Sequence, residues 1–276
     1  MSLARRLYDR VRFRDADDLD NRDEEAVALF ARVVASTLER YHRAEVRGVE
    51  RIPKGAALYV GNHNSFAYTP DTYLFSLAAY RAHGLEAVPH GLAHGVLIGW
   101  PFVNQILTPL GAVRASHDNG ERLLRAGKKV LVYPGGDVDS LRTYRDRHRL
   151  VFDGRRGYVR LALRCEVPIV PVVAAGAHRS ILVLHDGRFI ADAFDLGRRL
   201  RAKVWPIMLS VPWGLTVGPV FPFLPLPFKI LIEILEPIHF ARRGPEAADD
   251  DAYVAECATL VETRMQATLT RLSAEL

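Results

Sequence analysis

The chain has 276 residues, of which 49% are hydrophobic and 25% charged, so it can bury a sizeable core and disorder is not its main state. Its 37 basic and 32 acidic side chains leave a net charge of +5. The two cysteines, Cys165 and Cys257, are far apart, which favours a reducing cytosolic setting and predicts neither a disulfide nor a metal framework. No linker or repeat divides the sequence, so we expect a basic arm at 1–21 and a single domain at 22–276.

The N-terminal arm combines arginines with apolar residues. Its first fourteen residues, MSLARRLYDRVRFR, place Leu3, Leu7, Val11 and Phe13 at near-helical spacing. This pattern is typical of a segment on an anionic membrane surface and equally of a solvated basic helix end. No apolar core long enough for a signal peptide follows the arginines.

Predicted strands and helices alternate after the arm. Acidic residues followed by apolar residues at helical spacing predict a long helix at 22–43. Further helices are predicted at 72–82, 95–107, 118–127, 157–165 and 246–275, and strands at 44–49, 57–62, 86–90, 110–115, 129–136, 167–176 and 229–235. Nearly continuous apolar strands between helices indicate an α/β domain with a largely parallel central sheet flanked by helices. In such a sheet, ligands bind where strands end and helices begin.

The most apolar stretch, 204–228, is long enough to resemble a membrane span. Its six prolines argue against a regular helix, because each removes a backbone donor that lipid cannot replace. We expect an apolar loop or lid that covers a hydrophobic pocket or enters the membrane interface. Buried packing under the sheet edge is the alternative.

The sequence GNHNSFAYTPD, residues 61–71, follows a predicted strand and precedes a helix. Thr69 stands at the predicted N-cap, Pro70 at the first helical position, and Asp71 in the first turn, where the helix dipole favours an ionised acid. If the Asp71 carboxylate accepts from one ring nitrogen of His63, the other nitrogen can act as a base for a substrate hydroxyl. The alternative is a turn histidine and a helix-start acid without further roles.

Four segments then occur in a fixed order: GNHNSFAYTPD, LGAVRAS at 110–116, VLVYPGGDVDS at 130–140 and VPIVPVVAAG at 167–176. This order resembles the four-block layout of the glycerolipid acyltransferase superfamily, the phospholipid and glycerol acyltransferases. The sequence is most similar to the branch of monoacylglycerol and diacylglycerol acyltransferase-like proteins, over about 45–240. The resemblance implies a glycerol-3-phosphate acyltransferase-like fold.

The resemblance also implies roles for individual residues. His63 would be the general base and Asp71 its orienting partner. The residues implied to bind acceptor or donor are Asn64 and Ser65 of the first block, Arg114 of the second, and Tyr133, Pro134, Gly135, Gly136 and Asp137 of the third. Backbone amides at the Gly135-Gly136 turn are candidate donors to a tetrahedral oxyanion, although a Gly-Gly pair after a strand is also typical of an ordinary tight turn.

Two departures from the family pattern bear on these roles. Seven residues separate His63 from Asp71, where the family has four, and Gly-Gly-Asp-Val-Asp replaces the Glu-Gly-Thr-Arg of phosphate-acceptor enzymes. The loss of that arginine and the presence of Asp137 and Asp139 make this stretch a poor binding site for a phosphate dianion. Arg114 and the cationic run from Arg142 to Arg149 remain candidates for holding coenzyme A phosphates.

The sequence therefore predicts an acyl-CoA-dependent O-acyltransferase that acts on a neutral lipid or alcohol. Lysophosphatidate or glycerophosphate acylation and a non-catalytic lipid-binding protein on the same fold are the alternatives. We expect acyl-CoA or acyl carrier protein as donor, no cofactor, and a peripheral position on the cytoplasmic face of a membrane. His90 and His94 lack a metalloprotease-type pattern, so no metal is expected, and no nucleic-acid module is indicated.

Overall fold

A computed structural model describes residues 13–65, 68–200, 202–220 and 222–276 of the chain. Its helices are α1 (Glu24–Ser36), α2 (Leu38–Tyr41), α3 (Pro70–His83), α4 (Gly95–Ile98), α5 (Pro101–Leu107), α6 (His117–Arg125), α7 (Gly136–Ser140), α8 (Gly157–Arg164), α9 (Arg188–Ala193), α10 (Leu196–Leu200), α11 (Pro245–Asp249) and α12 (Asp251–Ala274). Its strands are β1 (Glu45–Arg47), β2 (Ala57–Gly61), β3 (His90–Ala93), β4 (Val113–Arg114), β5 (Lys129–Val132), β6 (Ile169–Ala175), β7 (Leu182–His185), β8 (Ile207–Ser210), β9 (Gly214–Val217) and β10 (Leu231–Ile234).

The central sheet has seven strands in the order β1-β10-β6-β2-β5-β3-β4. Strand β2 lies in the middle and pairs in parallel with both β5 and β6. Strand β10 runs antiparallel to β6, and β1 is parallel to β10, so these two strands oppose the rest. The largely parallel α/β sheet predicted from the sequence is confirmed.

Helices cover both faces of this sheet, which explains why its central strands are apolar throughout. Along β2, Leu58 and Val60 pack into a cluster shared with α8 and α12. The intervening Tyr59 belongs to a second cluster on the other face, where its ring meets the ring of Phe75 from α3 edge to face, with centroids 5.0 Å apart. The core therefore lies in two layers, one on each side of β2.

Most predicted elements are present, and two differences lie within residues 85–107. The predicted helix at 95–107 is divided into α4 and α5, because Pro101 starts a new helix at its first position. The strand predicted at 86–90 is wrong: Leu85–Ala87 forms a 3-10 turn, and β3 begins only at His90.

The apolar stretch 204–228, expected to be a loop or lid, contains strands β8 and β9. Together with β7 these strands form a separate antiparallel sheet in the order β7-β8-β9. Prolines are tolerated here because they lie outside both strands. The described ranges contain no helix with both the length and the apolar character needed to cross a bilayer.

The predicted basic arm is described only from residue 13 onward, and residues 1–12, which carry most of the proposed membrane-binding pattern, lie outside the described part. The remainder is attached to the domain. The Arg14 amide donates to Asn104 Oδ1 at 2.8 Å, and Asn104 Nδ2 donates to the Arg14 carbonyl at 2.9 Å. The Arg114 amide donates to the carbonyl of Ala16 at 2.9 Å. Residues 14–16 therefore pack against α5 and β4.

The two-layer core gives a stability prediction. Phe75→Ala removes a ring that is 1% exposed, and we expect a loss of about 3–5 kcal/mol in the free energy of unfolding. Phe102→Ala is the matched control, because that ring is 81% exposed, and its effect should stay within about 0.5 kcal/mol. Urea denaturation followed by circular dichroism measures both, and equal effects would contradict the assigned core.

Candidate active site

The site lies at the carboxyl ends of three neighbouring parallel strands. His63 follows the end of β2, Tyr133 follows β5, and His178 lies in the 3-10 turn Ala177–Ser180 after β6. Because β2 lies between β5 and β6, these three segments meet at one edge of the sheet. This is where open α/β sheets bind their ligands.

A buried ion pair holds the backbone of His63 from both sides. The His63 amide donates to Asp139 Oδ2 at 2.5 Å, and Arg142 Nη1 donates to the His63 carbonyl at 2.6 Å. Asp139 and Arg142 are themselves paired, with 3.1 Å between Asp139 Oδ1 and Arg142 Nη1, and both are buried. The position of His63 is therefore fixed through its main chain.

Asn64 links Asp71 to this ion pair. Its Nδ2 donates to Asp71 Oδ2 at 2.9 Å, while its Oδ1 accepts from Arg142 Nη2 at 2.9 Å and from Asn62 Nδ2 at 3.1 Å. Asn62 in turn exchanges two hydrogen bonds with the main chain of Ala174 on β6. The amide side chains thus join the end of β2 to the neighbouring strand and to α3.

His178 braces the same network from the other side. Its ring nitrogens lie 2.9 Å from the carbonyl oxygens of Asn64 and Arg142. Burial, and after it the charge of Arg142, lowers the pKa of His178 to about 3, so the ring is neutral and donates to one of these two carbonyls.

Tyr133 packs directly on the predicted base. Its ring is stacked on the His63 imidazole, with centroids 4.6 Å apart, and its hydroxyl lies 2.5 Å from Thr72 Oγ1. A side chain at Gly61 would collide with this ring, so the glycine makes the stacking possible. Burial raises the pKa of Tyr133 well above its usual value and keeps the hydroxyl protonated.

The electrostatic environment keeps His63 neutral. Burial, and then the positive charge of Arg142, lowers the pKa of His63 to about 4, and Asp137 opposes that shift. Nδ1 of the ring is buried without a hydrogen-bond partner among the described residues, although the residue as a whole is only partly buried. The imidazole is therefore available as a proton acceptor at neutral pH.

Asp71 occupies the first turn of α3, as predicted, but Thr69 at the N-cap position makes no side-chain capping bond. Burial raises the pKa of Asp71 to about 6, against the opposing effects of the Asn64 side chain and the first-turn amides. Desolvation is thus a larger effect than the helix start, but a pKa of about 6 still leaves the acid mostly ionised at neutral pH.

The hydrogen bond expected between His63 and Asp71 is not formed in this structure. Asp71 Oδ1 and His63 Nδ1 are both buried and both lack a partner among the described residues. The two residues are nevertheless tied together, since Asn64 binds Asp71 and Tyr133 connects the His63 ring to Thr72. Hydrogen bonds of catalytic groups are often open without substrate, and the assigned pairing stays a prediction.

The third block surrounds this cluster. The Gly136 amide donates to the Tyr133 carbonyl at 3.1 Å, whereas no hydrogen bond from the Gly135 amide occurs among the described residues. Pro134 has no amide hydrogen to donate. Asp137 accepts from Arg155 Nη2 at 2.9 Å and from the Lys203 amide at 2.6 Å. Of the candidate oxyanion donors, only the Gly135 amide is therefore unused within the described ranges.

Three further residues were named from the sequence, and they have different environments. Arg114 lies on the edge strand β4, half exposed, with its Nε 3.2 Å from Asp17 Oδ2. Ser65 is buried beside the cluster, and its hydroxyl lacks a partner among the described residues. Arg142 is buried and both of its Nη atoms bind protein groups, so it is not placed to hold a coenzyme A phosphate.

The structure offers no sign of a metal site within the described residues. No group of three or more potential ligand side chains occurs there. His90 is buried and contacts the Gly111 carbonyl at 3.0 Å, and His94 accepts from the Val96 amide at the start of α4. These contacts account for the pair of histidines four residues apart. Cys165 and Cys257 are both free thiols.

Comparison with known proteins agrees with the arrangement of blocks around His63. Residues 43–175 match the family model described as Acyltransferase, and this range includes His63, Asp71, the Pro-Gly-Gly turn and β6. Residues 43–175 form an acyltransferase-family domain. The family recognised from the order of the sequence blocks is thereby confirmed.

Three similar proteins place this acyltransferase domain in context. An uncharacterized protein of Mycobacterium tuberculosis is 33% identical over 85% of this chain and 63% of its own length, so the chain spans less than two thirds of that relative. Phytyl ester synthase 2 of Arabidopsis thaliana is 32% identical over 52% of this chain and 21% of its own length. A crystal structure of Thermotoga maritima PlsC, titled as the 1-acyl-sn-glycerophosphate (LPA) acyltransferase, is similar to this chain with a TM-score of 0.53. The match covers 88% of this chain and 81% of that one at 19% sequence identity, and it shows that the fold is shared.

The sequence analysis of the acyltransferase domain missed Asn62, Thr72 and His178 and gave Asp139 and Arg142 the wrong environment. His178 lies after the fourth block, where no motif marks it. Asp139 and Arg142 were expected to face substrate, yet they form a buried ion pair with each other. They are three residues apart, Asp139 on α7 and Arg142 just after its end. That spacing was the available signal, since residues three apart on a helix are neighbours.

A titration tests the environment of His63. With ¹³C-labelled histidine and His63→Ala for assignment, nuclear magnetic resonance should show the His63 ring neutral until the pH approaches about 4, compared with about 6.5 for a free imidazole. Between these values the unfolded chain binds the proton and the folded chain does not. The contribution of His63 to stability is therefore complete above about pH 6.5 and is lost as the pH falls toward 4. A midpoint at or above 6.5 would contradict this environment.

A second experiment tests the buried ion pair. Asp139→Ala leaves Arg142 buried without its partner, so the free energy of unfolding should fall by about 3–5 kcal/mol. Asp249→Ala removes the partner of Arg164 in an exposed pair and should cost less than about 1 kcal/mol. Denaturant titration compares the variants, and Asp139→Asn replaces Asp139→Ala if the latter does not fold. Equal costs for the two sites would show that the pair does not hold the structure together.

Proposed function

We propose that this protein transfers a fatty acyl group from acyl-CoA to the hydroxyl of a neutral lipid or alcohol, with His63 as the general base. The observation that carries the proposal is the neutral imidazole of His63 in an acyltransferase-family domain. The main chain of His63 is fixed by hydrogen bonds at the carboxyl ends of the parallel strands. A thioester has a good leaving group, so the reaction chiefly needs a base and an oxyanion donor.

The proposed step is a direct transfer. The His63 imidazole takes the proton of the acceptor hydroxyl as its oxygen attacks the thioester carbonyl carbon. The carbonyl π electrons move to oxygen, giving a tetrahedral oxyanion. When that intermediate collapses, the carbon–sulfur bond breaks, and the departing thiolate receives the proton from the imidazolium. The products are an ester and a free thiol, and His63 is restored as the neutral base.

Asp71 has the role of stabilising the imidazolium in this proposal. When His63 Nε2 is the nitrogen that accepts the substrate proton, the hydrogen of the neutral ring is on Nδ1, so the unpaired Nδ1 can donate to the unpaired Asp71 Oδ1. A bond between them would raise the pKa of His63 during proton transfer. The free-enzyme pKa of about 4 would thus rise when the base is needed.

The Gly135 amide is the proposed oxyanion donor. It lies in the turn between β5 and α7, and no group among the described residues uses it. A side chain at this position would collide with the side chain of Asp139 and the carbonyl of Val151, so glycine lets the turn pack against the ion pair that holds His63. The same turn would then link the proposed oxyanion donor, the Gly135 amide, to the ion pair that holds His63.

A neutral acceptor fits the charges around His63 better than a phosphate. Among the described groups bonded to the His63 cluster, the guanidinium of Arg142 is occupied by Asp139, His63 and Asn64. Asp137, whose charge acts on His63, would also repel a phosphate dianion, an effect that its ion pair with Arg155 reduces. The similarity to a phytyl ester synthase, whose name describes ester formation, supports the same choice.

Acylation of lysophosphatidate is the second candidate. It is favoured by the fold shared with PlsC, whose title names a 1-acyl-sn-glycerophosphate acceptor. In this candidate, Arg114 or the exposed Arg145 would bind the acceptor phosphate. A non-catalytic lipid-binding protein is the third candidate, and it is favoured by the open His63–Asp71 pair.

Thiol release and product analysis test these candidates. Wild type and His63→Ala are incubated with palmitoyl-CoA, or with palmitoyl acyl carrier protein, and with monoacylglycerol, diacylglycerol, long-chain alcohols or lysophosphatidate. We expect ester formation with a neutral acceptor and a loss of about 10²–10⁴-fold in rate for His63→Ala. Free thiol is measured continuously, and the products are identified by mass spectrometry.

His117→Ala is the matched control, because His117 is exposed at the start of α6. It should retain wild-type activity. Full activity in folded His63→Ala would eliminate the proposed mechanism. Ester formation only with lysophosphatidate would establish the second candidate, and bound lipid without any thiol release would establish the third.

A further inference from the structure

The outer face of the small sheet is apolar. We call its exposed side chains the sheet patch: Leu184, Leu209, Trp213, Leu215, Val217 and Leu224, which are 44–66% exposed. The register puts Leu182, Leu209 and Leu215 in one row across β7, β8 and β9. The opposite face is buried through Val183 and Met208. An antiparallel sheet with one solvated face normally alternates polar with apolar residues, and this sheet does not.

A second apolar surface occurs on α4 and α5. We call Val96, Trp100, Phe102 and Ile106 the helix patch, and these side chains are 55–81% exposed. The neighbouring Ile98 and Asn104 point into the protein and are buried. These two short helices therefore expose large apolar side chains and bury others, which the packing of the described residues does not explain.

The two patches emerge from the same edge of the central sheet as the candidate site. The helix patch begins directly after β3, and the sheet patch begins shortly after β6. His63 and the Pro-Gly-Gly turn follow β2 and β5, which lie between β6 and β3. Three strand spacings separate β6 from β3, or about 14 Å. An extended, nearly flat partner that touched both patches would face the opening between them.

The charges around the patches favour lipid as this partner. Apart from Leu184, the patch residues lie in the stretches 95–113 and 204–228, which contain no Asp, Glu, Lys or Arg. The charged residues that border these stretches, Arg114, Lys203 and Lys229, are all cationic, and their side chains remain 42–55% exposed although each forms an ion pair with an acidic side chain. Apolar surface with a cationic border is complementary to a bilayer that contains anionic headgroups.

We propose that the sheet patch and the helix patch together dock the protein on an anionic lipid bilayer, with the His63 site facing the membrane between them. The docking itself follows from the two surfaces alone. The passage of a lipid acceptor from the bilayer to His63 rests in addition on the proposed function.

The first test measures binding to vesicles of phosphatidylcholine with and without phosphatidylglycerol. Two paired variants of the full chain, Trp213→Ser with Leu215→Ser and Trp100→Ser with Phe102→Ser, should each weaken vesicle binding by at least about tenfold. Leu29→Ser with Val33→Ser is the matched control, because these exposed apolar residues lie on α1, outside both patches. We expect control binding equal to wild type and stronger wild-type binding to the anionic vesicles.

The second test locates the contact, using the three tryptophans of the chain, Trp100, Trp205 and Trp213. Trp205 belongs to neither patch. In single-tryptophan proteins made with phenylalanine at the other two positions, vesicles of brominated lipid should quench Trp100 and Trp213 and leave Trp205 nearly unquenched. This readout does not depend on stability or activity.

The outcomes separate docking from catalysis. Patch variants that bind vesicles like wild type, or equal quenching of all three tryptophans, would overturn the docking. So would a wild-type dimer in solution that the patch variants convert to monomer without any change in vesicle binding. His63→Ala should bind vesicles normally, so failure of ester formation with patch-dependent binding would refute the proposed function alone.

Discussion

The buried pair of Asp139 and Arg142 is the interaction on which the rest of the site depends. Two charges without solvent would be costly in isolation, and here each finds additional hydrogen bonds in the main chain at His63. The pair thus fixes the base through its amide and carbonyl and leaves the ring free to react. Burial is the larger cause of the lowered pKa of His63, and the positive charge of Arg142 adds to it.

Secondary structure brings the other parts to that pair. The parallel order of β5, β2 and β6 aligns three strand ends, and each contributes a different element: a glycine turn, the base and the bracing His178. Helix α3 adds Asp71 from its first turn and Thr72, which contacts the hydroxyl of Tyr133. Because β2 is buried on both faces, a displacement of its end would disturb both core layers, and the core therefore supports the geometry of the site.

The sequence predicted the features that depend on local periodicity and chain order. The α/β class, the sheet strands at 57–62 and 167–176 and the helix after Pro70 follow from patterns within about ten residues, and the structure contains them. Residue environment was harder to predict, because burial depends on contacts distant in sequence. Arg142 belongs to a run of arginines that looks like a solvated cationic surface, yet it is enclosed with Asn64 and His178. The exposed apolar face of β8 and β9 was likewise not predicted, because the surrounding prolines suggested a loop.

Charge distribution connects the site to the surface around it. The cationic group closest to the base is committed to Asp139, so the network provides rigidity without attracting anions to the reacting atoms. The partly exposed cations Arg114, Lys203 and Lys229, each in an ion pair of its own, instead border the exposed apolar stretches, where the proposed membrane contact lies. This separation suits a substrate whose reacting hydroxyl is neutral and whose apolar chains remain in lipid. A phosphate beside the hydroxyl would have to enter the part of the site where Asp137 already acts on His63.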